Sequence, residues 1–166
     1  MVSGGPPVEL VRRAQGGDTL AMNDLLRSLA PYVGRICGAI ALDGGADATQ
    51  EALTVVFRSL HGVREPAALL GWVRTIAVRE AVRVARSSPA AVPLDLSTLP
   101  AAGDIALGSD IRDTLARLAP EHRAVLVLRD LAGYSEQEVA DLLRIPAGTV
   151  KSRLHRARDR FRKAWA

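Results

Sequence analysis

Ser135-Glu-Gln-Glu-Val-Ala-Asp-Leu-Leu-Arg-Ile-Pro-Ala-Gly-Thr-Val-Lys-Ser-Arg-Leu-His-Arg156 contains two helices and the break between them. Ser135 followed three residues later by Glu138 forms a capping box, in which the serine hydroxyl accepts from the third helical amide and the glutamate reaches back to the cap amide. Val139, Ala140, Leu142 and Leu143 give this helix an inward face. It should end near Arg144, because Pro146 cannot continue it. Gly148 is expected to let two backbones approach closely, and a second helix to start at about Thr149. In that helix Val150, Leu154, Ala157 and Phe161 recur at helical spacing and mark one buried stripe. Thr149, Lys151, Ser152, His155, Arg156 and Asp159 are left on other faces.

From Arg144 to Lys163 eight residues are Lys or Arg, and Asp159 is the only acid. A solvated charged face would look similar on an isolated helix, but the capped helix just upstream changes the balance. Two short helices with a four-residue break, the second basic, describe a helix-turn-helix. The first braces against the nucleic-acid backbone and the second enters the major groove. Ser, Thr, Arg and Lys at its N-terminal end are residue types that bond base edges or phosphates.

Composition supports an all-α protein. The chain has 166 residues, room for one medium or two small domains, and only two Phe, two Trp and two Tyr. Its net charge of +4 is unevenly spread. Residues 1–86 hold ten Lys/Arg against eight Asp/Glu and residues 109–166 twelve against eight, while the stretch between holds two Asp and no base. That distribution suits two DNA-facing modules joined by a segment that is not one. Cys37 is the only cysteine, which excludes a disulfide framework, and its apolar neighbours imply a buried structural thiol. His61, His122 and His155 are scattered and do not make a metal spacing. No apolar stretch is expected to approach the roughly 20 residues of a membrane span, and the N-terminus lacks a signal core, so a cytoplasmic protein is expected.

The chain parses into two helical modules. Val8 to Gln15 is a short helix stopped by Gly16-Gly17. Asp18 caps a second, with Leu20, Leu25, Leu26 and Leu29 apolar. Pro31 opens a third, with Val33, Ile36 and Ile40 inward. After a loop at 42–46, a helix from Asp47 to His61 turns Leu53, Val56, Phe57 and Leu60 to the core. A long helix from Pro66 to Arg86 carries Leu69, Leu70, Trp72, Val73, Ile76 and Val82. Residues 88–109, rich in Pro, Ala, Ser and Gly, read as a flexible linker carrying Asp95 and Asp104. Residues 110–166 then form a four-helix domain ending in the helix-turn-helix.

Three stretches carry a family resemblance: Leu118-Ala-Pro-Glu-His-Arg-Ala-Val-Leu-Val-Leu-Arg129, Gly133-Tyr-Ser-Glu-Gln-Glu-Val-Ala-Asp-Leu-Leu143, and Pro146-Ala-Gly-Thr-Val-Lys-Ser-Arg-Leu-His-Arg-Ala-Arg158. Together they resemble the C-terminal domain of the extracytoplasmic-function (group IV) sigma factors of bacterial RNA polymerase, in the sigma-70 family. Asp47-Ala-Thr-Gln-Glu51 and Trp72-Val-Arg-Thr-Ile-Ala77 resemble the promoter-melting domain of the same family. The resemblance implies a region 2-like bundle over residues 1–87 and a region 4-like domain over 110–166.

It also implies roles. Asp47, Gln50 and Glu51 would grip the core polymerase. Gly148, Thr149, Lys151, Ser152, Arg153, His155 and Arg156 would hold the −35 promoter element. Arg64, Trp72, Arg74 and Arg79 would engage the −10 element and the separated strand. Leu53 stands where the family commonly has an aromatic. The partners implied are RNA polymerase core, promoter DNA and an anti-sigma factor. No nucleophile, acid–base pair or phosphate loop is visible, so no enzyme activity, cofactor or small-molecule substrate is expected. Two other functions fit a helix-turn-helix beside a helical bundle: a stand-alone transcriptional regulator, and a sigma mimic that sequesters an anti-sigma factor.

Overall fold

The computed structural model describes residues 5–87 and 108–165, and every regular element among them is a helix. The first group comprises α1 (Val8–Gln15), α2 (Thr19–Ala41), α3 (Gly45–Ser59) and α4 (Leu69–Ser87), with 3-10 turns at Leu42–Gly44, Leu60–Gly62 and Pro66–Ala68. The second comprises α5 (Ser109–Ala116), α6 (Pro120–Leu126), a π-helical turn at Val127–Leu131, α7 (Glu136–Leu143) and α8 (Ala147–Trp165). The expected linker lies outside the described residues except at its end, where α5 already begins.

α2 is the axis of the first module and packs against α1, α3 and α4. Asp18 caps it, its carboxylate accepting from the Ala21 amide at 3.0 Å. Pro31 does not open a separate helix as expected but lies inside α2. A proline in a helix interior costs about 3 kcal/mol. Against that stands the in-phase stripe Leu25, Leu29, Val33, Cys37 and Ile40, each at most 1% exposed, and burying a Leu, Val or Ile side chain contributes about 1.5–3 kcal/mol. The stripe outweighs the proline, whose ring sits on the exposed side.

Two apolar residues, Leu20 of α2 and Phe57 of α3, face outward, the second of which was expected in the core. Leu20 is 74% exposed, because Ala21, Met22 and Leu25 take the inward positions of its turn. Phe57 is 53% exposed. The inward face of α3 is Gly45, Ala48, Ala52 and Val56, and the residue after Val56 lies about 100° around the helix. Within Thr19–Gly62 one 18-residue window reaches a mean hydropathy of 1.3, enough by length and composition for a membrane span. This differs from the sequence expectation. The position of α2 against three neighbouring helices accounts for its apolar character without a bilayer.

α2 and α3 meet backbone to backbone. A Cβ on Gly45 would stand 2.8 Å from the Gly38 Cα, closer than packing permits.

In the second module the capping box at Ser135 is present. The Glu138 amide donates to the Ser135 hydroxyl at 3.2 Å, and the Ser135 amide donates to the Glu138 carboxylate at 2.7 Å. α7 ends through Arg144 in the left-handed region (φ 53°), with the Ile145 amide donating to the Ala140 carbonyl at 3.0 Å. α8 starts at Ala147, two residues earlier than expected, so the break is Arg144 to Pro146. The two modules touch: α4 packs on α6 and α7, and α2 on α6.

Gly45→Ala should lower the unfolding free energy by about 1–3 kcal/mol, the usual effect of overpacking. The same substitution at Gly148, where an added Cβ meets nothing within 4 Å, should not lower it. Thermal or urea melts followed by circular dichroism separate the two.

Candidate nucleic-acid interface

α8 is held by Val150 and Ala157, fully buried, and Leu154, 4% exposed, with Phe161 half-buried beyond them. These residues pack on α6, α7 and α5. The rest of the helix is divided into three strips. Gly148, Ser152 and Arg156 are exposed opposite the buried stripe, with Thr149 half-buried at their edge. Lys151 and His155, also exposed, sit on one flank, where they rim an apolar groove of about 690 Å³ lined by Ile111, Leu115, Leu126, Leu131, Leu154 and Phe161. Arg153 lies on the other flank, half-buried beside α6, near Glu121 and His122. Burial, with Arg160 and Arg153 close by, pushes the His122 pKa below its ordinary value.

The seven expected −35 residues therefore share a helix but not one face. Gly148 does not serve a contact between protein backbones, contrary to expectation, since nothing crowds its missing side chain.

Not every cation on α8 is available. The Arg158 guanidinium donates twice to Asp130, at 2.8 and 2.6 Å. Lys163 pairs with Asp159 at 3.0 Å, and that bond holds the Asp159 carboxyl below its usual range. Among the described residues Lys151, Arg153 and Arg156 form no ion pair. Ser152 donates its hydroxyl to the Thr149 carbonyl at 3.1 Å.

Asp47, Gln50 and Glu51 are all exposed on α3. Glu51 faces Arg83 at 3.5 Å, an exposed pair of little energetic weight. The same strip continues through Thr54 to Phe57 and Arg58, all exposed. The strip thus runs from acidic to aromatic, and Phe57 is the member that the sequence reading placed in the core. The spacing Asp47, Gln50, Thr54, Phe57 was the available signal.

The four −10 candidates do not converge. Arg64 is exposed between two 3-10 turns, and Trp72 is half-buried against the core. Arg74 lies under the second module, its guanidinium carbon 4.7 Å from the Tyr134 ring centre. Arg79 is half-buried near Arg144. Tyr32 of α2 joins this contact, and burial followed by the closeness of Tyr134 pushes its hydroxyl up to about 12. Cys37 donates its thiol to the Ala77 carbonyl at 3.6 Å, and burial pushes it up to about 11, which makes it unreactive. Among the described residues no group of three His, Cys, Asp or Glu is placed to hold a metal ion.

Comparison with known proteins agrees with this geometry. The family description "Sigma-70, region 4" matches residues 109–161, from α5 through most of α8. The chain is 34% identical over 165 residues to ECF RNA polymerase sigma factor SigE of Mycolicibacterium smegmatis. That match covers 88% of this chain and 63% of the relative, so the chain spans just under two thirds of its length. It is 31% identical over 161 residues to ECF RNA polymerase sigma factor SigM of Mycobacterium tuberculosis, covering 92% of this chain and 81% of the relative.

The fold matches the sigma factor RpoE of Bartonella quintana, solved with the anti-sigma factor NepR, at a TM-score of 0.59 and 22% identity, over 86% of this chain and 94% of that one. It also matches CnrH, solved with the cytosolic domain of CnrY, at a TM-score of 0.58 and 20% identity over 94% of each chain. With the helix-turn-helix, the cationic α8 and relatives of this similarity along nearly its whole length, the chain belongs to the extracytoplasmic-function sigma factors of bacterial RNA polymerase.

Proposed function

We propose that this sigma factor addresses RNA polymerase core to promoters by three surfaces: α8 on the −35 element, α3 on the polymerase, and α4 on the −10 element and its separated strand. It acts in the cytoplasm and is not itself catalytic, since phosphodiester synthesis belongs to the core. The observation that carries this reading is α8, a helix anchored by one apolar stripe with Gly148, Ser152 and Arg156 free on the opposite side.

Arg156 and Lys151 meet phosphates or base edges, and Ser152 and Thr149 supply short hydrogen-bonding groups at the helix start, where the dipole favours an anion. Gly148 has no internal packing reason to lack a side chain, and a bare backbone there lets α8 come close to the sugar–phosphate chain. On α3, Asp47, Gln50 and Glu51 face a basic surface of the polymerase, and Phe57 adds an aromatic anchor of the kind that dominates protein interfaces. The apolar groove beside α8, rimmed by Lys151 and His155, suits a helix of an anti-sigma factor with acidic flanks.

Binding the open form of the promoter alone shifts the closed-to-open equilibrium toward it. Joining two weak sites in one chain makes them act together, so neither module alone binds a promoter tightly.

On duplex DNA carrying a cognate −35 element, Arg156→Ala should lower the magnitude of the salt slope by about 0.9, one phosphate contact. Arg158→Ala, which removes a residue already tied to Asp130, should change the slope less. Gly148→Ala should weaken the same binding without loss of thermal stability. Equal effects of the two arginine variants in fluorescence anisotropy titrations would count against α8 as the reader.

On the polymerase side, Asp47→Lys with Glu51→Lys should abolish co-purification with core, and Phe57→Ala should reduce affinity about tenfold, on the order of 1.4 kcal/mol. Circular dichroism spectra should stay unchanged. Retained core binding by the double variant would show that the interface lies elsewhere.

A further inference from the structure

We infer that the protein carries an intramolecular latch, in which Arg123 and Arg112 of the second module clamp the C-terminal end of α2 and so hold α6 and α7 over the α4 face that bears Arg74 and Arg79. The masking half of this inference rests on the reading of α4 as the strand-binding surface; the latch itself does not.

The centre of the latch is Arg123 on α6. It is only 7% exposed, and its guanidinium donates to the Ile40 carbonyl at 3.1 Å and to its own module's Leu118 carbonyl at 3.2 Å. Ile40 is the second-last residue of α2. The last four carbonyls of a helix have no intrahelical partner and carry the negative end of its dipole. A cation from the other module thus serves as the C-terminal cap of α2. Beside it Arg112 of α5 pairs with Asp43, just past that helix end, at 3.2 Å. At the far side Arg86 of α4 pairs with Glu121 of α6 at 2.6 Å. These three polar ties cross the boundary at separate points.

What the closed arrangement covers is equally specific. Tyr134, between the π-helical turn and α7, lies across the Arg74 guanidinium. Val78 and Ala85 of α4, on the side of Arg74, are buried. Arg79 is half-buried with Arg144 of the second module nearby, and burial, then that like charge, lowers its pKa.

The contact is also imperfect. The Nε atoms of Arg74, Arg79, Arg112 and Arg123 are buried without a hydrogen-bond partner. Buried donors left unsatisfied weigh against an interface, and contacts between domains of one chain resemble transient ones. Closure therefore gains a helix cap and two ion pairs but leaves buried donors of Arg74 and Arg79 unsatisfied. Opening returns those donors to solvent and frees two guanidinium groups for a polyanion. A strand reaching Arg74 and Arg79 and a second module seated on them exclude each other.

The test uses the full chain in four forms: wild type, Arg123→Met, Asp43→Arg, and Asp43→Arg with Arg112→Asp. Small-angle X-ray scattering gives the radius of gyration. Fluorescence anisotropy gives affinity for a labelled, random-sequence single-stranded DNA of about 12 nucleotides, within the span of single-strand sites. Asp43→Arg places a third cation against Arg112 and Arg123, so the radius should grow. Because that variant itself adds positive charge, unmasking is read on Arg123→Met, whose single-strand affinity should rise about tenfold, the factor by which a closed form populated ten to one lowers it.

The charge swap should restore the compact radius, which a chain that had merely unfolded would not do. Arg123→Met should expand the molecule without loss of helical circular dichroism. An unchanged radius in both Asp43→Arg and Arg123→Met, or an expansion that the swap fails to reverse, overturns the latch. Expansion with no gain in single-strand affinity leaves the latch standing, overturns the masking and removes α4 from the strand-binding surface.

Discussion

A helix with seven Lys and Arg among nineteen residues can dock on a protein only through the few apolar side chains it owns. Burying a Val or Leu gains about 1.5–3 kcal/mol, whereas burying an unpaired charge costs several. α8 therefore turns until Val150, Leu154 and Ala157 are inside, and no rotation hides its cations as well. α6, the π-helical turn after it and α7 supply the socket, with Ala124, Val125, Leu128, Val139 and Leu142 all buried. The capping box on α7 and the left-handed Arg144 set the angle at which the chain enters α8. The surface of α8 proposed to meet duplex DNA is a consequence of this one choice of rotation.

The same choice sorts the cations of α8 by neighbour rather than by sequence order. Side chains beside α6 meet Glu121 and His122, and on the groove side Arg158 is tied to Asp130, while Lys151 at the groove rim and Arg156 on the outermost strip have no carboxylate partner among the described residues. A charge that already has a carboxylate partner releases less on meeting phosphate, because its partner must be given up. Formal charge therefore overstates the electrostatic reach of this module, and Lys151 and Arg156 matter more than the count of basic residues indicates.

Much of this was legible in the sequence. The capping box, the stop at Pro146 and the apolar period of α8 are local signals, and local signals set helix ends and faces. Pro31 was misread because a residue-level rule met a longer one: five in-phase apolar positions on either side of it outweigh a single proline. Phe57 was misread for the opposite reason. An aromatic in a helical window looks like core, yet α3 approaches α2 so closely at Gly38 and Gly45 that its inward positions take only small residues and Val56. Gly148 was given an internal packing role that its open surroundings do not require. None of the cross-module ties was visible, since Arg123 and Ile40 are 83 residues apart and nothing local marks a carbonyl as in need of a cap.

The chain has twenty Arg and two Lys, and the position of Arg123 shows why the choice matters beyond charge. A guanidinium is planar, with donors in a fixed fork, so one side chain can hold two carbonyls that belong to different elements. An ammonium carries three donors on one nitrogen but no fixed planar fork, and it holds its water more strongly, so it would not present two separate nitrogens to the two carbonyls. The fork also ties the closed arrangement to a backbone atom, which no substitution at Ile40 removes. Control of closure is thereby concentrated on the arginine side, with Asp43 setting the field around it. The surface proposed to bind a polyanion and the contact proposed to withhold it are then built from one residue type, and the difference between them is whether the nearest oxygen belongs to a phosphate or to the end of α2.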